Sequence, residues 1–93
     1  MIRSFKCKGT EKVFHRRFSK KFPAAIQRVI LRKLRMLNRA SDMNDLRIPP
    51  GNRLEALKGE RANQFNIRIN NRWRIYFEWE NNDSYNVEVT DYH

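Results

Sequence analysis

Phe65-Asn66-Ile67-Arg68-Ile69, then Asn70-Asn71-Arg72, then Trp73-Arg74-Ile75-Tyr76-Phe77-Glu78-Trp79: apolar residues alternate with polar ones on either side of a short polar break. Period two is the pattern of a half-buried strand, and two such runs around Asn70-Asn71-Arg72 predict a hairpin. Both apolar rows must reach the same core, so Ile69 should face Trp73 and Ile67 should face Ile75 across a three-residue connection centred on Asn71. That register sets Arg68 opposite Arg74. Like charges across a ladder repel, so the pair calls for a counter-ion or a polyanionic ligand.

Beyond the hairpin, Glu80 to Ser84 reads as a second turn. After it Tyr85, Val87 and Val89 continue the apolar row against Trp79, Phe77 and Ile75, and this strand carries Asp91-Tyr92-His93 towards the same region. Upstream, Arg53-Leu54-Glu55-Ala56-Leu57 is an extended run that Lys58-Gly59 ends near the basic side of the sheet. Ile48-Pro49-Pro50-Gly51-Asn52 cannot continue a helix and predicts an ordered loop. Ser41 is positioned to cap a very short helix ending near Leu46.

The N-terminal part has the other periodicity. Ile26, Ile30, Leu34 and Leu37, widened by Val29, form the inward stripe of a helix entered at Pro23, with Arg28, Arg32 and Arg35 on the opposite face. A shorter helix before it is expected to be capped by Thr10, with Glu11 in its first turn and Phe14 and Phe18 turned inward. Ile2 to Lys6 reads as a first short strand, with Ile2 and Ser4 on one side and Arg3 and Phe5 on the other. The fold class is therefore α+β: a small, antiparallel-rich sheet with an N-terminal helical hairpin packed on one face, leaving the other face for a ligand.

Length and composition narrow the function. The 93 residues predict a single domain, 1–93, with one modest core. No apolar run approaches membrane-spanning length and the first residues lack a signal-peptide pattern, so the expected compartment is the cytoplasm, with no membrane partner. The formal net charge is +10 and unevenly placed, since Glu11 is the only acid before residue 40. Such a surface favours a polyanion (RNA, DNA or an acidic protein), although surface charge can also serve solubility alone.

Metal and nucleotide chemistry lack their parts. His15 and His93 stand far apart, Cys7 is the lone cysteine and glycine is scarce, so neither a metal site nor a phosphate-cradling loop is expected. Cleavage of RNA needs less equipment: its own 2′-hydroxyl is the nucleophile, and a protein need only align it, neutralise charge and move protons. Lys58, Arg68 and Arg74 are candidates for the charge and His93 for proton transfer.

At these residues a resemblance becomes specific. Asn52-Arg53-Leu54-Glu55-Ala56-Leu57-Lys58-Gly59, Ile67-Arg68-Ile69-Asn70, Trp73-Arg74-Ile75 and the terminal Asp91-Tyr92-His93 resemble the HigB branch of the RelE/ParE toxin superfamily, especially its compact GraT-like members, the plasmid-maintenance killer proteins. The likeness runs over essentially the whole chain, from Ile2-Arg3-Ser4-Phe5 onward. It implies a RelE/ParE-like fold and a ribosome-dependent, cofactor-free mRNA endonuclease acting in the A site of the small subunit. It also implies a helix-turn-helix antitoxin of the HigA or GraA kind, with operator DNA contacted only through the antitoxin complex. By motif match the catalytic or phosphate-binding set is Lys58, Arg68, Arg74, Asp91, Tyr92 and His93, while Arg28, Arg32, Arg35 and Arg72 are available to bind RNA or the ribosome.

One position departs from the pattern. Glu55 stands where some relatives have a histidine of the catalytic set; it is placed either to accept a proton or to pair with Arg53 or an arginine across the sheet. Asp91 is placed to orient His93 or to neutralise an arginine, and Tyr92 to stack on a base or to lodge the terminus. Two other functions stay open on these residues: inhibition of DNA gyrase, as on the ParE side of the superfamily, and RNA binding without catalysis.

Overall fold

The computed structural model describes residues 1–57 and 63–91. Two α-helices, α1 (Lys8–Phe14) and α2 (Ala24–Arg39), precede two short 3-10 turns, Met43–Arg47 and Pro50–Asn52. Four strands follow: β1 (Glu55–Ala56), β2 (Gln64–Arg68), β3 (Trp73–Glu80) and β4 (Asp83–Asp91). They form one antiparallel sheet in the order β1-β2-β3-β4, and the two helices pack on each other and against β4. Among the described residues no helix is long and apolar enough to cross a membrane.

The alternation fixes the register as expected. Ile67 pairs with Ile75 and Arg68 with Arg74, and the Ile69 amide donates to the Trp73 carbonyl at 3.0 Å. Ile67, Ile75, Phe77, Val87 and Val89 point into the core, where Ile30, Leu34 and Leu37 of α2 meet them. The β3–β4 turn is tighter than the sequence suggests. Glu80 pairs with Asp83, leaving Asn81 and Asn82 as a two-residue turn, both at positive φ (51° and 63°), the conformation that matches strand twist and that asparagine tolerates.

Beyond this turn the expectation for Tyr85 fails. Glu78 pairs with Tyr85 but Tyr76 pairs with Glu88, so Asn86 and Val87 together oppose Phe77. The bulge, with Asn86 at φ 53°, reverses the faces: Ser84, not Tyr85, stands opposite Trp79 and is buried. Val87 and Val89 keep their places in the apolar row.

The N-terminal segment is not a regular strand. It touches β4 at two isolated parallel bridges, Ile2 with Ser84 and Phe5 with Val87, and Ile2 and Phe5 both pack on the core, which no two-residue alternation allows. The amides of Arg3 and Lys6 donate to the Ser84 and Val87 carbonyls at 2.7 and 3.0 Å, and the Val87 amide donates to Ser4 O at 3.1 Å. Edge groups of β4 that would otherwise be open to another chain are thereby paired. An ion-pair cluster reinforces the contact: the Met1 amine and Arg3 Nε each lie 3.1 Å from the Asp83 carboxylate, which holds that carboxyl below its usual range.

Three helix-end expectations are corrected. Cys7, not Thr10, occupies the N-cap of α1; Thr10 lies inside the helix, fully buried, and its Oγ1 accepts from the Val89 amide at 3.0 Å. Phe18 lies past the end of α1, where the chain turns through Arg16 at φ 64°, and is 64% exposed instead of inward; Val13 takes the core position. Asp42, not Ser41, caps the turn Met43–Arg47, in a reciprocal box with Asp45. Gln27 ties α2 to the intervening segment, donating to the Ser19 and Phe22 carbonyls at 2.6 and 2.9 Å.

Thr10 thus joins α1 to the sheet edge by one buried hydrogen bond. Thr10→Val keeps the shape and strands the Val89 amide, so it is expected to destabilise the fold by about 1–3 kcal/mol. Urea unfolding checks this; an unchanged midpoint would mean that the bond contributes nothing.

Candidate functional site

The face of the sheet away from the helices is built by the residues that alternate with the core. Because Ile67 and Ile75 take the inner side, Asn66 and Arg68 of β2 and Arg74 and Tyr76 of β3 take the outer one, with Glu55 of β1 beside Asn66. The like-charged pair is therefore real, and its repulsion is met locally. Arg74 Nη1 donates to Asn66 Oδ1 at 2.5 Å, lies 2.9 Å from Glu55 Oε1 and reaches the Arg53 carbonyl at 3.4 Å. Arg68 Nη2 donates to Asn71 Oδ1 at 2.5 Å.

The two arginines differ in depth. Arg68 is half-buried, whereas Arg74 is 7% exposed and the Asn66 amide beneath it is buried. An outward strand position suggests a free cation at Arg74. Instead the segment 53–55 folds over it, so its charge is already oriented in a largely desolvated setting where electrostatic interactions are strong. Of the roles open to Glu55, the structure displays pairing with an arginine across the sheet.

The hairpin end of this face is held by side chains of the turn. Asn70 Oδ1 accepts from the amides of Arg72 and Trp73, both at 2.8 Å. Arg72 then lies over the Trp73 ring, 5.6 Å from its centroid, and its Nε is 3.0 Å from Asp91 Oδ1. This hydrogen-bonded pair raises the Arg72 guanidinium further above its ordinary value. Asp91 therefore neutralises an arginine. Lys58, Tyr92 and His93 lie outside the described residues.

The remaining candidates sit on α2. Arg28 and Arg35 line an open groove of about 440 Å³ between the helices, with Val13, Leu31 and the exposed Phe18 as its apolar part and Arg16 and Arg17 on its rim. Arg32 is exposed and does not line it. This groove shares no residue with the Arg68–Arg74 face, so the candidates fall into two separate regions.

One cation was not anticipated. Lys33 is 6% exposed, and its Nζ donates to Oδ1 of the fully buried Asn52. Burial, with Arg32 and Arg68 nearby, lowers its pKa. The signal is present in the sequence: Lys33 is three residues after Ile30 and four before Leu37, within the inward stripe.

The family described as RelE-like toxin of type II toxin-antitoxin system HigB matches residues 3–93. The chain belongs to the HigB-like toxin family. Endoribonuclease HigB of Proteus vulgaris is 33% identical over 97 residues, covering 100% of both chains. Toxin HigB-1 of Vibrio cholerae is 44% identical over 57 residues, 61% of this chain and 60% of that protein, and an uncharacterized protein of Haemophilus influenzae is 37% identical over 67 residues, 72% and 66%. The chain thus spans less than two thirds of the length of these last two. A crystal structure of a point mutant of YafQ from E. coli superposes with a TM-score of 0.64 at 11% identity, covering 98% of this chain and 91% of that one, a likeness of fold alone. The family match places the two-helix, four-stranded architecture of the described residues among the RelE-like toxins.

Within this HigB-like chain the two arginines should differ in stability as they do in depth. Arg74→Ala leaves Asn66 and the Arg53 carbonyl without their donor and Glu55 without its partner, and is expected to cost about 2–4 kcal/mol. Arg68→Ala should stay within about 1 kcal/mol of the parent. Paired urea titrations decide the matter, and equal losses would contradict the contrast in burial.

Proposed function

We propose that this chain is the toxin of a type II toxin-antitoxin pair and acts as a ribosome-dependent endoribonuclease on mRNA in the decoding A site. The observation that carries the reading is the juxtaposition of Arg68 and Arg74 on the sheet face opposite the helices, one half-exposed and one buried and held by Glu55 and Asn66. The Proteus vulgaris relative, which this chain matches over its whole length, is an endoribonuclease by name, and this supports the reaction class.

In this reading Arg68 contacts a non-bridging oxygen of the scissile phosphate, and Arg74 supplies charge behind it without having to be ordered during the reaction. The 2′-hydroxyl loses its proton and attacks phosphorus; the 5′-oxygen leaves and takes up a proton, giving a cyclic phosphate and a free 5′-hydroxyl. No step requires a cofactor. Lys58 is proposed to add positive charge, His93 to transfer one of the protons, and Tyr92 to stack on a base or to seat the terminus. Glu55 acts as the charge partner of Arg74, and Asp91 and Arg72 brace the hairpin beside the site. The proposed partners are a HigA- or GraA-like helix-turn-helix antitoxin, the small ribosomal subunit and its mRNA, with operator DNA reached through the antitoxin complex.

Primer-extension mapping on a translated message with purified ribosomes tests the reading. New cuts inside ribosome-bound codons are expected, and Arg68→Ala and Arg74→Lys should each reduce single-turnover cutting by about tenfold or more. Absence of cuts together with blocked gyrase supercoiling would replace this function with the ParE-like one. The α2 arginines have a separable role in ribosome association: neutralising Arg28, Arg32 and Arg35 together should weaken binding and flatten its salt dependence, leaving cleavage in the saturated complex near the parental rate. An unaltered salt slope in the folded triple variant would remove these residues from the ribosome contact.

A further inference from the structure

Lys33 occupies a costly position. It interrupts the Ile30, Leu34, Leu37 stripe of α2 and is almost wholly buried. Among the described residues no carboxylate lies within ion-pair distance of it. An apolar side chain of similar length would fill the same space without desolvating a charge. What the ammonium holds instead is Asn52.

Asn52 is fixed from several sides. Its Nδ2 donates to the Leu46 carbonyl at 3.1 Å and approaches Met36 Sδ at 3.0 Å, and its amide donates to the Pro49 carbonyl at 2.9 Å. The next residue, Arg53, sits in the left-handed region at φ 45° and ψ 56°, its amide donating to the Pro50 carbonyl at 3.1 Å. That unusual backbone aims the Arg53 carbonyl at Arg74 Nη1, 3.4 Å away. Two residues further on, Glu55 Oε1 lies 2.9 Å from the same nitrogen. Two of the acceptors that orient Arg74 therefore belong to the short stretch that begins at Asn52.

We propose that Lys33 and Asn52 are positioning residues for Arg74: the ammonium-amide contact ties the stretch 52–55 to α2, and that stretch sets the direction of the guanidinium through the Arg53 carbonyl and the Glu55 carboxylate. The consequence for cleavage rests on the function proposed above; the consequence for the position of Arg74 does not. A link of this kind explains why a charge is retained in an apolar stripe, since a methionine there would pack but would not grip Asn52. Burial of this side chain, with Arg32 and Arg68 nearby, is what lowers its pKa.

The experiment compares Lys33→Met, which keeps the apolar stem, with Lys33→Arg, which keeps charge and donors. Three quantities are read on each folded protein: the side-chain Nε–H NMR resonance of Arg74, single-turnover cleavage on saturated ribosomes, and the ribosome affinity. Lys33→Met is expected to shift or broaden the Arg74 resonance and to slow the saturated rate by about tenfold, as a misplaced catalytic group does, with affinity within about twofold of the parent. Lys33→Arg should recover part of both losses. If Lys33→Met does not fold, Lys33→Gln, whose donor is one bond shorter, is read in the same way. An Arg74 resonance unmoved in the folded variant, with a parental rate, would overturn the proposal. If the parent makes no cuts, or Arg74→Lys cuts at the parental rate, the cleavage reading fails by itself, and the resonance alone decides whether Lys33 positions Arg74.

Discussion

The guanidinium of Arg74 is the point at which separate parts of this fold meet. Its acceptors come from β2 (Asn66), from β1 (Glu55) and from the loop before it (the Arg53 carbonyl). The 53–55 stretch is a short edge segment in which Leu54 packs against the core while Arg53 and Glu55 are exposed. A two-residue strand makes few ladder bonds, so its place on the sheet depends on what its side chains and carbonyls bind. Arg74 is the cation they share, and this makes one buried charge both a structural tie and the centre of the proposed site. Removing it would leave these acceptors without their shared donor and take away the charge proposed to stand behind the phosphate.

Acidic side chains are scarce in this basic chain, and several of them act as struts. Asp83 binds the N-terminal amine and Arg3, Glu88 lies 3.6 Å from Lys6, Asp91 pairs with Arg72 and Glu55 with Arg74. Each joins segments distant in sequence, and all four lie on the edge strands β1 and β4. Apart from Glu55–Arg74, whose guanidinium is buried, these pairs have exposed cations and contribute little individually, about 0–1 kcal/mol, so their larger effect is on where positive charge remains uncompensated. None of the ion pairs among the described residues involves Arg28, Arg32, Arg35 or Arg68. The α2 arginines and the Arg68 beside Arg74 are thus part of the positive charge left over, which suits a ligand that is itself a long polyanion.

Much of this arrangement is legible in the residues. Alternation alone gives the Ile67–Ile75 register and so the opposition of Arg68 and Arg74, because a slip of one residue would expose the whole apolar row. Period two says which face a residue is on, however, and nothing about how deep it lies. Arg74 is buried by a segment that reaches it from some twenty positions away, and no local pattern encodes that. Alternation misplaces Tyr85 because a bulge adds a residue that polar-apolar counting cannot see; Asn86, an asparagine at positive φ, is its trace. The i,i+4 spacing from Phe14 turns Phe18 inward, but α1 ends at Phe14 and the spacing ceases to apply.

Lys33 shows the opposite failure, in which the pattern holds and its exception goes unread. The helical stripe requires that position to face the sheet, and lysine is there in spite of it. A buried polar residue inside an otherwise apolar stripe marks a bond that hydrophobic packing cannot replace, and Lys33 leads through Asn52 to Arg53 and Arg74. The helix layer then does more than cover the core. By gripping the loop that closes over Arg74, α2 couples the packed side of the sheet to its charged side, so that the face proposed to meet RNA is kept in shape from behind.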